Sequence, residues 1–326
     1  MVFKSNWEKA STHYSLQAGT IEKMVKLAYP NKTLLAYEQL SGGCANINTK
    51  IYVKNEQNPL ILRIYLRDQD ACYREKKLGH LLREEIPIPQ TYYIGEIDSY
   101  CFAITEYMQG ISLRELLLGP IEHNVGSIMR KVGNMLAKIT SHEFIKSGFF
   151  NKDLDVFESE NDFVLRFLKD CLNDLHVSSI LSAQIISKIS LCLDKYVYVF
   201  QDLNDHNLVH GDFDPSNILV DQIEGSWEVT GVLDWEFSFA GSVLWDVANM
   251  LRYAHHMQPT FQDAFLDGLI NGGIHLPKDW HIKVQLLNLL SLLDILRRSN
   301  LKNSPSQCAD IHELVIHILN KLEKPF

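Results

Sequence analysis

The stretch His210-Gly211-Asp212-Phe213-Asp214-Pro215-Ser216-Asn217-Ile218-Leu219-Val220, with Asp234-Trp235-Glu236 after it, decides how this chain reads. Two apolar runs, Ile218 to Gln222 and Trp227 to Leu233, flank the turn Glu224-Gly225-Ser226, a spacing that predicts a β-hairpin. Asn217 stands just before the first run and Asp234 just after the second, so a hairpin returns them to one end. Oxygen donors of this kind suit Mg²⁺, which takes few protein ligands and keeps water and phosphate oxygens in its shell. Asp212 is placed beside them to accept a hydroxyl proton. From Tyr196 to Leu251 there is no Lys or Arg but ten acids, a one-sign stretch that fits a site whose cation lies on the ligand.

Outward from this segment, the chain separates into two textures. Before Gln109-Gly110 it shows short alternating runs: Thr33–Leu40, Ile47–Lys54, Leu60–Leu66, Thr91–Ile97 and Tyr100–Glu106. A helix ending at Pro30 precedes them, and a second, Asp70–Arg83, is inserted among them. After Gly110 helical patterns dominate: Val125–His142, Glu160–Leu175, Ser179–Phe200, Leu244–His255, Thr260–Ile270, Lys278–Arg298 and Ala309–Leu322. The expected class is α+β, with a small antiparallel sheet lobe over 1–105, a hinge over 106–110 and a larger helical lobe over 111–326.

Charge follows the same division. The first 110 residues carry 13 basic and 12 acidic side chains, and the remainder 18 and 28, within a total of -9. That balance excludes a general nucleic-acid binder, which needs a basic surface, and favours cationic ligands or a metal ion. The six cysteines have no zinc or redox spacing and read as buried thiols. No signal-peptide core opens the chain, and Val284–Leu296 is too short and too polar to span a bilayer. The expectation is a cytoplasmic protein, monomer or homodimer, with no membrane partner.

The pattern H-G-D-x-x-x-x-N followed by D-W-E resembles the aminoglycoside phosphotransferase and choline kinase-like superfamily, distant relatives of protein kinases. The step from Asp212 to Asn217 is that of the kinase catalytic loop, and Asp234 stands where the second metal-binding Asp stands. Gly241 to Asn249 is similar to the family's helix start, whose Asp, here Asp246, supports the catalytic loop. The resemblance covers essentially the whole chain and implies a bilobal protein-kinase-like fold. It implies that Arg63 grips nucleotide phosphates with Glu75 as its ion-pair partner, and that Ser41-Gly42-Gly43 covers the nucleotide. It also implies that the backbone of Glu106 and Met108 meets the nucleobase and that His210 is a buried brace, although His210 is open to a second reading as a general base. Glu236 either contacts metal or substrate or caps a turn, and Asp214, where a His is frequent in the family, receives no role.

The implied activity is transfer of the γ-phosphoryl group of ATP or GTP, with Mg²⁺, to a hydroxyl of an amino-bearing, cationic small molecule such as an aminoglycoside. Antibiotic resistance would be its setting. Asp155 and Glu158, with Asp153 and Glu160, are candidates for the acceptor side of the cleft. The alternatives are an amino-alcohol or sugar kinase, for which Trp235, Trp245 and Trp280 are cage candidates, and a non-catalytic nucleotide-binding regulator. A protein kinase is disfavoured by the Gly after His210, the Trp after Asp234 and the missing Ala-Pro-Glu.

Overall fold

Period-two alternation in the first third of the chain builds one antiparallel sheet. The computed structural model describes residues 3–8, 17–40, 46–98, 100–158, 163–201 and 205–323. Strands β1 (Leu34–Gln39), β2 (Asn46–Val53), β3 (Leu60–Tyr65), β4 (Thr91–Ile97) and β5 (Tyr100–Glu106) lie in the order β1-β2-β3-β5-β4. One face buries Ile51, Leu62, Ile64, Phe102 and Ile104 beneath Ile21, Met24 and Val25 of helix α1 (Ala18–Ala28). Alternation sends Arg63 and Tyr65 to the opposite face, toward helix α2 (Ala71–Leu82), where Tyr65 packs with Ala71 and Cys72. The register sets Arg63 between Asn48 of β2 and Ala103 of β5 on this face.

The second lobe is mainly helical. Strand β6 (Ile111–Ser112) and helices α3 (Leu113–Leu118) and α4 (Val125–Thr140) open it, and strands β7 (Gly148–Phe150) and β8 (Val156–Glu158) follow. Next come α5 (Phe163–Leu172), α6 (Leu175–Ile180), α7 (Ala183–Lys195), α8 (Tyr198–Gln201) and strand β9 (Asn207–Val209). The hairpin is β10 (Ile218–Ile223) and β11 (Ser226–Val232), before β12 (Phe239–Gly241). Helices α9 (Leu244–Leu251), α10 (Pro259–Asn271), α11 (Trp280–Arg297) and α12 (Pro305–Glu323) complete it. Glu224 (φ 51°) and Gly225 (φ 80°) make the left-handed turn that a tight hairpin needs. Two small sheets, β11-β10-β6 and β8-β7-β12-β9, accompany the helices. Leu78, Leu82, Ile86 and Ile88 join the helical lobe's core, and the amide of Val232 donates to the Pro87 carbonyl at 2.7 Å, so the lobes are tied behind the site.

Several expectations are corrected. The continuous helix Ser179–Phe200 is interrupted, because Leu181 is extended and Ser182 caps a new helix, accepting from the Ile185 amide at 3.3 Å. The pattern to Leu175 likewise ends at Leu172, since Asp174 caps α6 through the His176 amide at 2.8 Å. The helix expected to reach His255 stops at Leu251 and gives way to a single 3₁₀ turn. Cys72 and Cys101, far apart in sequence, bring their sulfurs within 2.9 Å, and Cys192 is only partly buried. Cys44 and the turn Ser41-Gly42-Gly43 lie outside the described residues. Among the described residues no helix is long and apolar enough to cross a membrane.

Helices α4 and α10 touch backbone to backbone. A Cβ at Gly268 would stand 2.0 Å from the Arg130 carbonyl oxygen, and one at Gly133 would stand 2.1 Å from that of Phe265. Gly268→Ala therefore forces the two helices apart and is expected to lower stability by about 1–3 kcal/mol, read as a lower urea midpoint at unchanged slope.

Candidate active site

Strand β9 delivers His210 into the interior, where its side chain is fully buried. Its Nε2 donates to the Leu233 carbonyl at 2.9 Å, and its Nδ1 accepts from the Asp212 amide at 3.2 Å. The ring leans on Trp235, centroids 4.5 Å apart. Gly211 takes φ 85°, and a Cβ there would stand 2.3 Å from the Phe237 carbonyl oxygen, so only glycine passes this point. Asp246, buried in the first turn of α9, accepts from the amides of His210 at 2.7 Å and Gly211 at 2.9 Å. Burial pushes the Asp246 carboxyl up to about 7, against these backbone donors. Asn249, one helical turn on, donates to the Gly211 carbonyl at 2.9 Å and is held by Arg252 at 2.6 Å. The loop backbone is thus fixed from three sides.

On this loop Asp212 directs its carboxylate into the cleft. Oδ2 accepts from Asn217 Nδ2 at 2.9 Å, and the same amide donates to the Asp212 carbonyl at 2.9 Å, so Oδ1 is the Asn217 atom that could hold a cation. Asp212 Oδ1 accepts from Lys4 Nζ at 3.0 Å. Asp214 is buried and accepts from the Ser216 amide at 2.7 Å, from the Ser216 hydroxyl and from Lys4. No pattern in the sequence signalled Lys4, a residue more than 200 positions away.

The second carboxylate group gathers around Arg63. The hairpin register Ile218↔Val232, closed by the Leu233 amide on the Asn217 carbonyl at 2.8 Å, sets Asn217 and Asp234 together at its open end. Asp234 occupies the left-handed region, φ 68°, uncommon for a residue with a Cβ. Its Oδ1 accepts from Arg63 Nη2 at 2.5 Å. The same nitrogen lies 3.4 Å from Glu75 Oε1 and 3.8 Å from Glu236 Oε2. Glu75, partly buried, accepts from the Tyr65 hydroxyl at 2.5 Å, while Glu236 accepts from Asn46 Nδ2 at 2.7 Å. Arg74 Nη2 donates to the Glu236 carbonyl at 3.1 Å. Burial, reinforced by Asp234 and opposed by Arg63 and Asn46, raises the Glu236 carboxyl to about 7. Tyr65, Asn46 and Arg74 were not legible as site residues, because their partners lie on other elements. Lys4, Arg63 and Lys131 reach the acid-only stretch from distant sequence and pair with Asp212, Asp214, Asp234, Glu236 and Glu228.

These groups open on one cleft of about 1050 Å³, lined by Arg63, Glu75, Asp212, Asn217, Asp234 and Glu236. Glu106 and Met108 line it also, although the Glu106 amide is taken by the Gln90 carbonyl at 2.8 Å. Asp155 does not line it: the β7–β8 turn takes it up, accepting from Asn151 Nδ2 at 3.0 Å. Asp153 pairs with Lys77 at 2.5 Å on the surface. Of Glu158 only the backbone, at the end of β8, is described, and Glu160 lies outside the described residues. Nor do the tryptophans form a cage: Trp235 is buried on His210, Trp245 meets Phe239 edge-on at 5.7 Å and Trp280 packs on His281. Phe149, half-exposed, stands 6.0 Å from Phe239, so an aromatic wall lines the far side of the cleft. Asp294, also on that side, is tied to Arg298 at 2.5 Å.

The donor set fits Mg²⁺ bound with phosphate. Among the described residues no three His, Cys, Asp or Glu gather to hold a metal alone. Asn217 and Asp234 nevertheless supply two hard oxygens, and Glu236 Oε1 and Arg63 Nε are buried without a hydrogen-bond partner, an acceptor and a donor facing the same region.

Residues 37–281 match the model of the phosphotransferase enzyme family. The chain belongs to that family. This small-molecule kinase is a phosphotransferase with a hydroxyl acceptor. Comparison with curated protein sequences finds no match. Among solved structures, aminoglycoside phosphotransferase APH(4)-Ia superposes with TM-score 0.73 at 18% identity, over 95% of this chain and 100% of that one. A thermostable mutant of that enzyme, in a ternary complex with AMP-PNP and hygromycin B, gives TM-score 0.71 at 20% identity, over 94% and 100%. APH(2″)-IIIa, in complex with GDP and kanamycin, gives 0.67 at 18%, over 93% and 98%. At these identities the likeness establishes the bilobal kinase fold.

Asp246→Asn presents an NH₂ group to amides that now share a carboxylate. It is expected to cost about 1–3 kcal/mol in urea unfolding, because a buried donor loses its acceptor.

Proposed function

We propose that this phosphotransferase moves the γ-phosphoryl group of ATP or GTP to a hydroxyl of a small molecule, with Asp212 aligning that hydroxyl and taking its proton. The observation that carries the reading is the opening of Asp212, Asn217, Asp234 and Arg63 on one cleft, with Arg63 held between Glu75 and Asp234. Phosphoryl transfer depends on positioning and charge neutralisation more than on covalent help. Arg63, oriented by Glu75, grips the inner phosphates through its fork. Asn217 and Asp234 hold Mg²⁺, which neutralises phosphate charge when bound. Asn217 also fixes the carboxylate of Asp212, so one residue sets both the base and a ligand oxygen. His210 and Asp246 keep the loop in register, and the five-stranded sheet lobe up to residue 105, apart from Phe3–Glu8, which pack on the helical lobe, acts as the nucleotide-binding unit hinged at 106–110.

The named neighbours bind aminoglycosides with nucleotide, and an aminoglycoside or related antibiotic is one acceptor this reading admits. The lining of the cleft adds a preference. Phe149, Phe239 and Trp245 form an apolar wall and Asp294 is already paired, which favours an acceptor with one apolar face over a bare polycation.

A Mg²⁺-dependent screen with ATP and GTP against aminoglycosides, peptide antibiotics, macrolides, amino alcohols and sugars tests the reading. Asp212→Asn is expected to lower kcat by at least about 100-fold while nucleotide binding persists. Equal turnover by that variant sinks the assignment. Asp234→Asn is expected to weaken Mg-nucleotide binding in calorimetry, and an unchanged Kd would remove Asp234 from the metal site.

A further inference from the structure

The N-terminal residues Phe3 to Glu8 are built into the helical lobe beside the catalytic loop. Phe3 is buried against Tyr253 and Phe261, ring centroids 5.6 and 5.8 Å away, and its carbonyl accepts from Arg114 Nη1 at 3.3 Å. Trp7 Nε1 donates to Asp310 Oδ2 at 2.8 Å. The Glu8 carboxylate accepts from the amides of Ser306 at 2.7 Å and Gln307 at 3.1 Å, in the first turn of α12. Anchored at both ends, the segment sets Lys4 Nζ 3.0 Å from Asp212 Oδ1 and in a second ion pair with Asp214, its side chain only 16% exposed. Burial works against the ammonium charge, and the two aspartates outweigh it and keep it protonated.

The charge distribution gives this contact a purpose. Asp212 must stand beside the hydroxyl that attacks the donor's terminal phosphoryl group, and a bare carboxylate pair repels that group. Arg63 answers for Asp234, but among the described residues Lys4 is the one cation ion-paired with Asp212 or Asp214. Asp214 is not part of the cleft lining, whereas Lys4 and Asp212 are. Ser216 holds Asp214 from its own loop, so the bonds of this buried acid are to Ser216, Lys4 and the loop backbone.

We propose that Lys4 is a positioning residue of phosphoryl transfer: it fixes the Asp212 carboxylate and screens the Asp212–Asp214 pair so that the terminal phosphoryl group of the donor can approach. This rests on the kinase reading above. Asp214 is then the anchor that keeps the ammonium in the loop. The opposite role, an ammonium standing where the acceptor belongs, would make the segment a plug, and the two roles change turnover in opposite directions.

The full-length protein and its Lys4→Gln and Lys4→Arg variants are titrated calorimetrically with Mg²⁺ plus AMP-PNP and with Mg²⁺ plus ADP. Lys4→Gln is expected to weaken AMP-PNP binding about tenfold while ADP changes less than about twofold, because only the triphosphate reaches the screened carboxylates. Lys4→Arg is expected to keep the wild-type ratio. With an acceptor in hand, Lys4→Gln is expected to lower kcat about 100-fold with acceptor KM within about threefold, and Lys4→Arg to restore most of the rate. A merely structural Lys4 would lower the melting temperature and leave the AMP-PNP to ADP ratio unmoved, which overturns the proposal. Faster turnover in Lys4→Gln also overturns it, in favour of the plug. If Lys4→Gln does not fold, the double variant Lys4→Gln/Asp214→Asn removes one charge of each sign, and a kcat equal to wild type there overturns the proposal as well. Wild-type protein that binds neither nucleotide defeats the kinase reading itself. Wild-type binding with an unchanged ratio in Lys4→Gln defeats this inference alone.

Discussion

Five carboxylates, those of Asp212, Asp214, Asp234, Glu236 and Asp246, converge where the β10–β11 hairpin, the loop before it and the start of α9 meet, and their mutual repulsion is the constraint around which the rest is arranged. Two cations and a set of backbone amides answer the five. Arg63 reaches down from the five-stranded sheet to Asp234 and Glu236, Lys4 comes from the N-terminal segment to Asp212 and Asp214, and backbone amides meet Asp246. Buried charges persist only when paired or hydrogen-bonded, so these partners are conditions for the loop to exist in this shape. The same pairings carry the lobes' relation to one another, because the Arg63–Asp234 bond spans the cleft.

Backbone geometry adds a second constraint. Gly211 and Asp234 both sit in the left-handed region, one before the proposed base and one at the end of the hairpin. Gly211 has a steric reason, the nearby Phe237 carbonyl. Asp234 has none of glycine's freedom, and Arg63 holds its carboxylate in place from across the cleft. Strain of this kind at the proposed metal-holding residue fits a loop shaped for ligand rather than for stability.

The aromatic wall changes the picture of the acceptor that charge alone had drawn. The acidic bias of the helical lobe pointed to a cation, yet Asp153 and Asp155 fall outside the cleft and Asp294 is paired within α11. Net charge describes a lobe; what a ligand meets depends on which acids remain unpaired in the cleft and on what stands between them.

The sequence by itself determined the sheet strands, the inserted helix and the hairpin, because each is governed by local periodicity and turn chemistry, as in Leu60–Tyr65 and Glu224-Gly225. It also determined the spacing of Asp212, Asn217 and Asp234, since one hairpin register sets the last two. Short elements such as β7, β9 and β12 escaped it, being three-residue strands defined only by their neighbours. The broken helices near Asp174 and Ser182 escaped it because capping competed with a continuous apolar pattern. Only the tertiary structure decided which polar groups meet: Lys4 with Asp212, Asn46 with Glu236, Tyr65 with Glu75, Cys72 with Cys101. The physical reason is that periodicity acts over a few residues, whereas a buried charge finds its partner through the packing of the whole chain.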